Sequence, residues 1–252
     1  MKLVVISLLS FILISPGSLV AEDKTYIALT EPWPPYQTYI DGKSGGYSVE
    51  FIRAIFKRAG LKVNIKVLPW ARSLTTTQNE KDIFLFVVAR NEKRENSLIW
   101  IDTILPYTPY FWKLKSRKEI TVNSVENAKN YMVGVVTLDA STQYLQKQGF
   151  EIHKNMTAVT YNVINLRKLY KSRVDLIVYD IGGLAIQVEA ENLDPSLIER
   201  QAMIKDLAVN LWLTTGSKSD PDLVEKIRQA SKTLKEDGTY DKIMGPAIKL
   251  MY

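Results

Sequence analysis

Between residues 25 and 89 the chain reads strand, helix, strand, helix, strand, and that order restricts it to a sheet with parallel neighbours joined by right-handed crossovers. TYIALT, residues 25–30, is the first predicted strand, followed by the Pro-rich and Gly-rich loop EPWPPYQTYIDGKSGG. From Tyr47 the apolar residues Phe51, Ile52, Ile55, Phe56 and Ala59 recur at helical spacing, and Gly60 stands where a left-handed cap ends such a helix. KVNIKVL alternates, with Val63, Ile65 and Val67 on one face of a strand. Residues 70–78 suit a second helix, and IFLFVV is a continuous apolar run of the kind a central parallel strand carries.

The pattern then begins again. YMVGVV is a predicted strand, residues 141–148 a short helix closed by Gly149, residues 161–170 a helix, VDLIVYD a buried strand, and residues 182–191 another helix. After LAVNLWLTT, Asp220 and Pro221 supply an N-cap and a first-turn proline for an amphipathic helix that runs through Ile227 and Leu234 and stops before Gly238. Two α/β units therefore follow one another, with a final strand and two helices left over. A return of those leftovers to the first unit would tie two lobes together twice.

Ahead of the first unit, Lys2 precedes an apolar block from residue 3 to residue 14, then Ser15, Pro16, Gly17 and a small residue at Ala21. This reads as a secretory signal peptide over residues 1–21, because the apolar core is too short to span a bilayer and is followed by helix breakers. Cleavage is expected after Ala21, and no later segment is apolar for long enough to cross a membrane. A periplasmic location for the mature chain is the expectation. There is no cysteine, so neither a disulfide nor a lipid-accepting thiol is available, and about 230 residues must build their core unaided. The formal net charge of +6 becomes +5 without Lys2. The basic residues are scattered, as at Arg53, Lys57 and Arg58, with no basic stripe between aromatics, so nucleic acid is not an expected partner.

In open α/β sheets the functional crevice lies beyond the carboxyl ends of the strands. The residues there are Trp33 and Tyr36 after the first strand, Trp70 after NIKVLP, Arg90 and Arg94 after IFLFVV, Ser141 and Thr142 after MVGVV, and Asp180 after DLIVY. Each also has an ordinary structural use: the tryptophans as core or interlobe packing, Ser141 and Thr142 as an N-cap, Asp180 as a helix cap. ARNEKRE poses its own problem. If it is helical, Arg90 and Arg94 share a face, repel, and oppose the macrodipole, so water, Glu92 and Glu95, or a transient anion must compensate. An enzyme has little to work with. His153 is the only histidine, and there is no G-x-S-x-G, H-E-x-x-H, P-loop or G-x-G-x-x-G motif. No metal or cofactor is expected.

EPWPPYQ, GGYSVEFIRAIFKRAG, VLPWARSL, ARNEKRE, VGVVTLDASTQYL, VDLIVYD and LKEDGTYDKI, in this order, resemble the type II periplasmic solute-binding proteins of polar amino acid uptake systems. The ligand-binding core of ionotropic glutamate receptors shares that lobe plan. The resemblance implies two lobes, each a sheet flanked by helices: residues 22–112 with 206–252, and residues 113–205. It implies crossovers near residues 111–116 and 204–210, and hinge closure on a ligand. Arg94 matches the arginine that grips a ligand α-carboxylate in a bidentate fork, and Asp180 the acid that takes the α-ammonium. Ser141 and Thr142 match hydroxyls that also meet the carboxylate, and Trp33 and Trp70 match aromatics flanking the ligand side chain. Arg90 is either a second ligand contact or the partner of an acid such as Asp82 or Glu95. Two departures stand out: Ala89 occupies a position usually held by serine or threonine, and Asp139 lies close to the expected carboxylate. These widen the ligand class from amino acids to modified amino acids, small peptide-like solutes, or an unrelated molecule that uses the same cleft. The expected assembly is a monomer that delivers its solute to an inner-membrane ABC permease. The alternatives are a sensor reporting to a membrane receptor and, least supported, an enzyme.

Overall fold

The computed structural model describes residues 24–251, so the predicted signal peptide lies outside them. The first unit runs β1 (Thr25–Thr30), a small hairpin of β2 (Thr38–Ile40) and β3 (Lys43–Gly45), α1 (Tyr47–Arg58), β4 (Lys62–Val67), α2 (Trp70–Asn79), β5 (Ile83–Ala89) and β6 (Leu98–Tyr107). The second runs β7 (Tyr110–Leu114), α3 (Val125–Ala128), β8 (Val133–Val136), α4 (Ala140–Lys147), β9 (Met156–Val159), α5 (Asn162–Tyr170), β10 (Leu176–Tyr179), α6 (Ile181–Ala190) and β11 (Ile198–Met203). The chain closes with β12 (Val209–Gly216), α7 (Pro221–Glu236) and α8 (Thr239–Lys249).

Two five-stranded sheets result. The first has the order β4-β1-β5-β12-β6, with β1 parallel to β4 and β5, and β12 antiparallel to β5 and β6. The second has the order β11-β7-β10-β8-β9, with β8 parallel to β9 and β10, and β7 antiparallel to β10 and β11. The architecture is therefore the two-lobed α/β plan. Every residue of β5 is buried, as its unbroken apolar run requires. α1 turns Val49, Phe51, Ile52, Ile55 and Phe56 inward and packs on α7 and α8, so the returning segments belong to the first lobe. Each such side chain contributes about 1.5–3 kcal/mol by leaving water. Gly60 adopts φ +65°, the left-handed turn expected of it, and Asp220 caps α7 by accepting from the amides of Asp222 and Leu223.

Two expectations require correction. ARNEKRE is not helical: residues 92–97 form consecutive turns, with the amides of Ser97 and Leu98 both donating to the Arg94 carbonyl, so no macrodipole opposes the arginines. The first crossing also falls earlier than residues 111–116. Tyr110–Leu114 already pairs with β10 and β11, which leaves only Thr108 and Pro109 between the sheets. The chain returns between Met203 and Val209 through a short 3-10 turn, Lys205–Leu207.

Candidate functional site

The carboxyl ends of β1, β5 and β8 converge on a cavity of about 70 Å³ between the lobes, walled by Glu31, Trp33, Trp70 and Arg94 on one side and by Asp139 and Asn162 on the other. β5 delivers its wall through a bulge. The pairing with β12 shifts register there, and Val87, a β-branched residue, sits at φ +65° facing the cavity. On the loop after β1, the amides of Tyr36 and Gln37 both donate to the Trp33 carbonyl, a tight turn that sets the Trp33 and Tyr36 rings 4.4 Å apart.

Arg94 is the largest fully buried side chain among the described residues, 1% exposed. Its Nη1 donates to the Ala89 carbonyl (2.8 Å) and its Nη2 to the Leu138 carbonyl (3.0 Å) of the opposite lobe. The guanidinium lies over the Trp70 ring at 4.7 Å, while Nε is buried without a hydrogen-bond partner among the described residues. Trp70 Nε1 donates to the same Leu138 carbonyl at 3.0 Å. Leu138 presents that oxygen from a left-handed backbone, φ +61°, which is costly for a leucine.

Burial pushes Arg94 down to about 10, opposed by the charges of Asp139 and Glu31. Glu31, half-buried on the cavity wall, is pushed up to about 8, first by burial and then by Asp139, with Arg94 pulling the other way. Among the described residues its carboxyl makes no hydrogen bond or ion pair. Tyr107 at the end of β6 lines the cavity edge-on to Trp33, and burial followed by Asp139, Asp180 and Glu31 raises its hydroxyl well above the ordinary tyrosine value.

Of the residues singled out by sequence, Trp33, Trp70 and Arg94 stand on the cavity wall, and the others are engaged elsewhere. Asp180, 1% exposed, is a helix cap and an interlobe latch together. It accepts from the Gly183 amide (2.7 Å), from Trp33 Nε1 (3.0 Å) and from the Tyr36 hydroxyl (3.2 Å). Burial raises its carboxyl to about 6 in spite of these donors. Tyr36 is fully buried behind Trp33. Ser141 donates to Asp139 and Thr142 to the Val136 carbonyl, because Asp139 takes the cap of α4 that the hydroxyls were expected to fill. Arg90 turns outward, with Nε on Glu95 at 2.9 Å and its guanidinium over Trp100 and Trp212, so of the two uses foreseen for it the structural one is found. Sequence reasoning passed over Glu31, Tyr107 and Asn162. Glu31 follows directly on β1, and the strand-end rule that found Trp33 would have found it.

No curated protein matches the chain by sequence. Among solved structures, a histidine kinase sensor domain with similarity to periplasmic binding proteins superposes with a TM-score of 0.79 at 18% identity, over 88% of this chain and 95% of that one. An ancestral arginine-binding protein bound to arginine gives 0.77 at 22% identity, over 88% and 97%. The amino acid ABC transporter substrate-binding protein AbpA of Streptococcus pneumoniae, bound to L-arginine, gives 0.73 at 17%, over 90% and 95%. These likenesses establish the fold. The family model of the bacterial extracellular solute-binding proteins, family 3, matches residues 26–246, nearly everything described, and the chain belongs to that family.

Proposed function

We propose that the protein captures a small amino-acid-like solute between its lobes in the periplasm and hands it to an inner-membrane ABC permease, without chemical turnover. One observation carries this reading: a fully buried guanidinium, its Nε unpartnered, on the wall of an interlobe cavity. A buried donor left unmatched costs about 1–3 kcal/mol, and a ligand carboxylate is the group that relieves it. Nη2 can join Nε in a fork once the Leu138 carbonyl withdraws, which couples ligand entry to movement of the opposite lobe. Charge-assisted hydrogen bonds are worth about 1.5–3 kcal/mol each, so a fork, one ammonium contact and aromatic burial reach the roughly 8 kcal/mol of a micromolar ligand. The amino-acid-binding neighbours support the same ligand class.

A thermal-shift screen of the mature protein against amino acids tests the reading. A ligand at about a hundred times its dissociation constant adds roughly 2.7 kcal/mol of stability. Arg94→Lys keeps the charge and loses the fork, so affinity is expected to fall by about tenfold or more. A shift equal to wild type in that variant would exclude Arg94 as the carboxylate grip. The sensor-domain neighbour favours a second reading, in which the liganded form signals to a membrane kinase. Uptake of labelled ligand by cells with and without the protein separates the two, since a pure sensor leaves uptake unchanged.

A further inference from the structure

The space between the lobes is larger than the cavity beside Arg94. A second cavity, of about 670 Å³, lies between them on the hinge side, with Leu207 and Val209 of the returning chain on its wall. Ala89 of the first lobe and Ala140 of the second line both cavities, so the two spaces meet along a seam between methyl groups. The inner cavity, about 70 Å³, has the volume of roughly two waters. A carboxylate fits there. An amino acid with its side chain exceeds it, and the excess has the outer cavity to occupy.

A run of hydrogen bonds joins the two spaces. On the outer wall Asn91 Nδ2 donates across the cleft to Gln143 Oε1 at 2.8 Å, and Gln143 Nε2 donates to the Leu138 carbonyl at 3.3 Å. That carbonyl is the one that Arg94 Nη2 and Trp70 Nε1 also hold. The two carboxamides offer each other the donor and the acceptor of a single peptide group. A peptide bond inserted between them replaces what they lose: its carbonyl accepts from Asn91, and its N–H donates to Gln143. The exchange leaves no polar group unmatched and is therefore cheap, whereas a free amino acid has no peptide group to offer. Drawing Gln143 aside also takes one donor from the Leu138 carbonyl, whose left-handed backbone already disfavours its position, and so loosens its hold on Arg94. Around the outer cavity Arg90, Lys93 and Lys147 stand with Glu92 and Asp206, a mixture of signs that suits a chain charged only at its ends.

We propose that the solute is a short peptide, of the size of a di- or tripeptide. Its terminal carboxylate enters the inner cavity onto Arg94, and its remaining length passes between Ala89 and Ala140 into the outer cavity, with a peptide group between Asn91 and Gln143. The assignment rests on Arg94 as the carboxylate grip.

Calorimetric titration of the mature protein with L-alanine, di-L-alanine, tri-L-alanine and di-L-alanine amide, alongside the other free amino acids, tests this, with thermal melts of each variant as a check on folding. Di- or tri-L-alanine is expected to bind about tenfold or more tighter than any free amino acid, and amidation of the carboxylate is expected to cost a similar factor. Ala140→Leu, which fills the seam, and Gln143→Met, of similar length without the amide, are each expected to reduce the ratio of peptide to amino acid affinity several-fold. A free amino acid that binds as tightly as the peptides, or a ratio unchanged in both folded variants, would overturn the proposal and leave the amino-acid reading intact. Equal binding of the free and amidated dipeptides would remove the carboxylate grip on which both rest, and binding of neither peptides nor amino acids would remove both.

Discussion

Glu31 and Asp180 both hold their protons more tightly in the folded protein than in the unfolded chain, and this has a consequence for stability. A carboxyl with a raised native pKa favours the folded state below its ordinary value, and that contribution is lost as pH rises through the native value. The windows run from the usual carboxylate range to about 6 for Asp180 and to about 8 for Glu31. The groups that set the Glu31 window are Asp139 and Arg94, with Tyr107 and Tyr179 also in its field. The ligand-free Tm is therefore expected to fall toward alkaline pH, and the Tm of Glu31→Gln minus that of wild type to grow by a few degrees between about pH 5 and pH 8. Melts across that range check it; a constant difference would mean Glu31 is ionised throughout. Arg94 was legible in the sequence by its place beyond the end of an apolar strand. Glu31 lay within reach of the same strand-end rule, but its hold on a proton was not legible, because only the opposite lobe gives that carboxyl a low-dielectric surrounding.

Among the elements, α6 carries the most specific demand on sequence. Its first turn, Gly182-Gly183, meets the first lobe so closely that a Cβ on Gly182 would stand 2.5 Å from the Leu250 carbonyl and 2.8 Å from the Tyr36 hydroxyl. Gly182→Ala gains up to about 1 kcal/mol of intrinsic helix propensity and obstructs closure. It is expected to enlarge the radius of gyration in solution scattering and to weaken ligand binding by about tenfold without lowering Tm by more than a few degrees. Unchanged scattering and affinity would show that the lobes close without this contact. Strong periodicity made α1, α7 and β4 readable in advance, and an unbroken apolar run did the same for β5. β6 escaped notice because its burial does not alternate and it carries Asp102, a charge that a sequence scan takes for an exposed turn. The structure satisfies that charge from α7, with Ser231 Oγ at 2.7 Å and Lys235 Nζ at 2.6 Å.

At the scale of the molecule, two crossings and a set of cross-lobe contacts join the lobes. Inside are Asp180 with Trp33 and Tyr36, and the Leu138 carbonyl with Arg94 and Trp70; at the rim, Asn91 meets Gln143 and Lys147 meets Glu92. The rim ion pair is exposed and contributes little, at most about 1 kcal/mol. One apolar cluster extends from Phe51 and Ile227 in the first lobe to Val133 and Leu176 in the second. Four of the five tryptophans, at 33, 70, 100 and 212, belong to the first lobe, so fluorescence reports mainly on it while circular dichroism reports on both. Coincident urea transitions by the two signals are expected, and a separate early loss of either would show lobes that unfold independently. The sequence by itself determined the two α/β units, the segments left over after them and the place of Arg94 past a strand end, because helix and strand periods and strand-end position are local properties of the chain. Which acids face that arginine was decided by tertiary structure alone. The docking of one lobe on the other commits Asp180 to Trp33 and Tyr36 and leaves Glu31 without a partner among the described residues, and no spacing along the chain encodes a hydrogen bond between residues 147 positions apart.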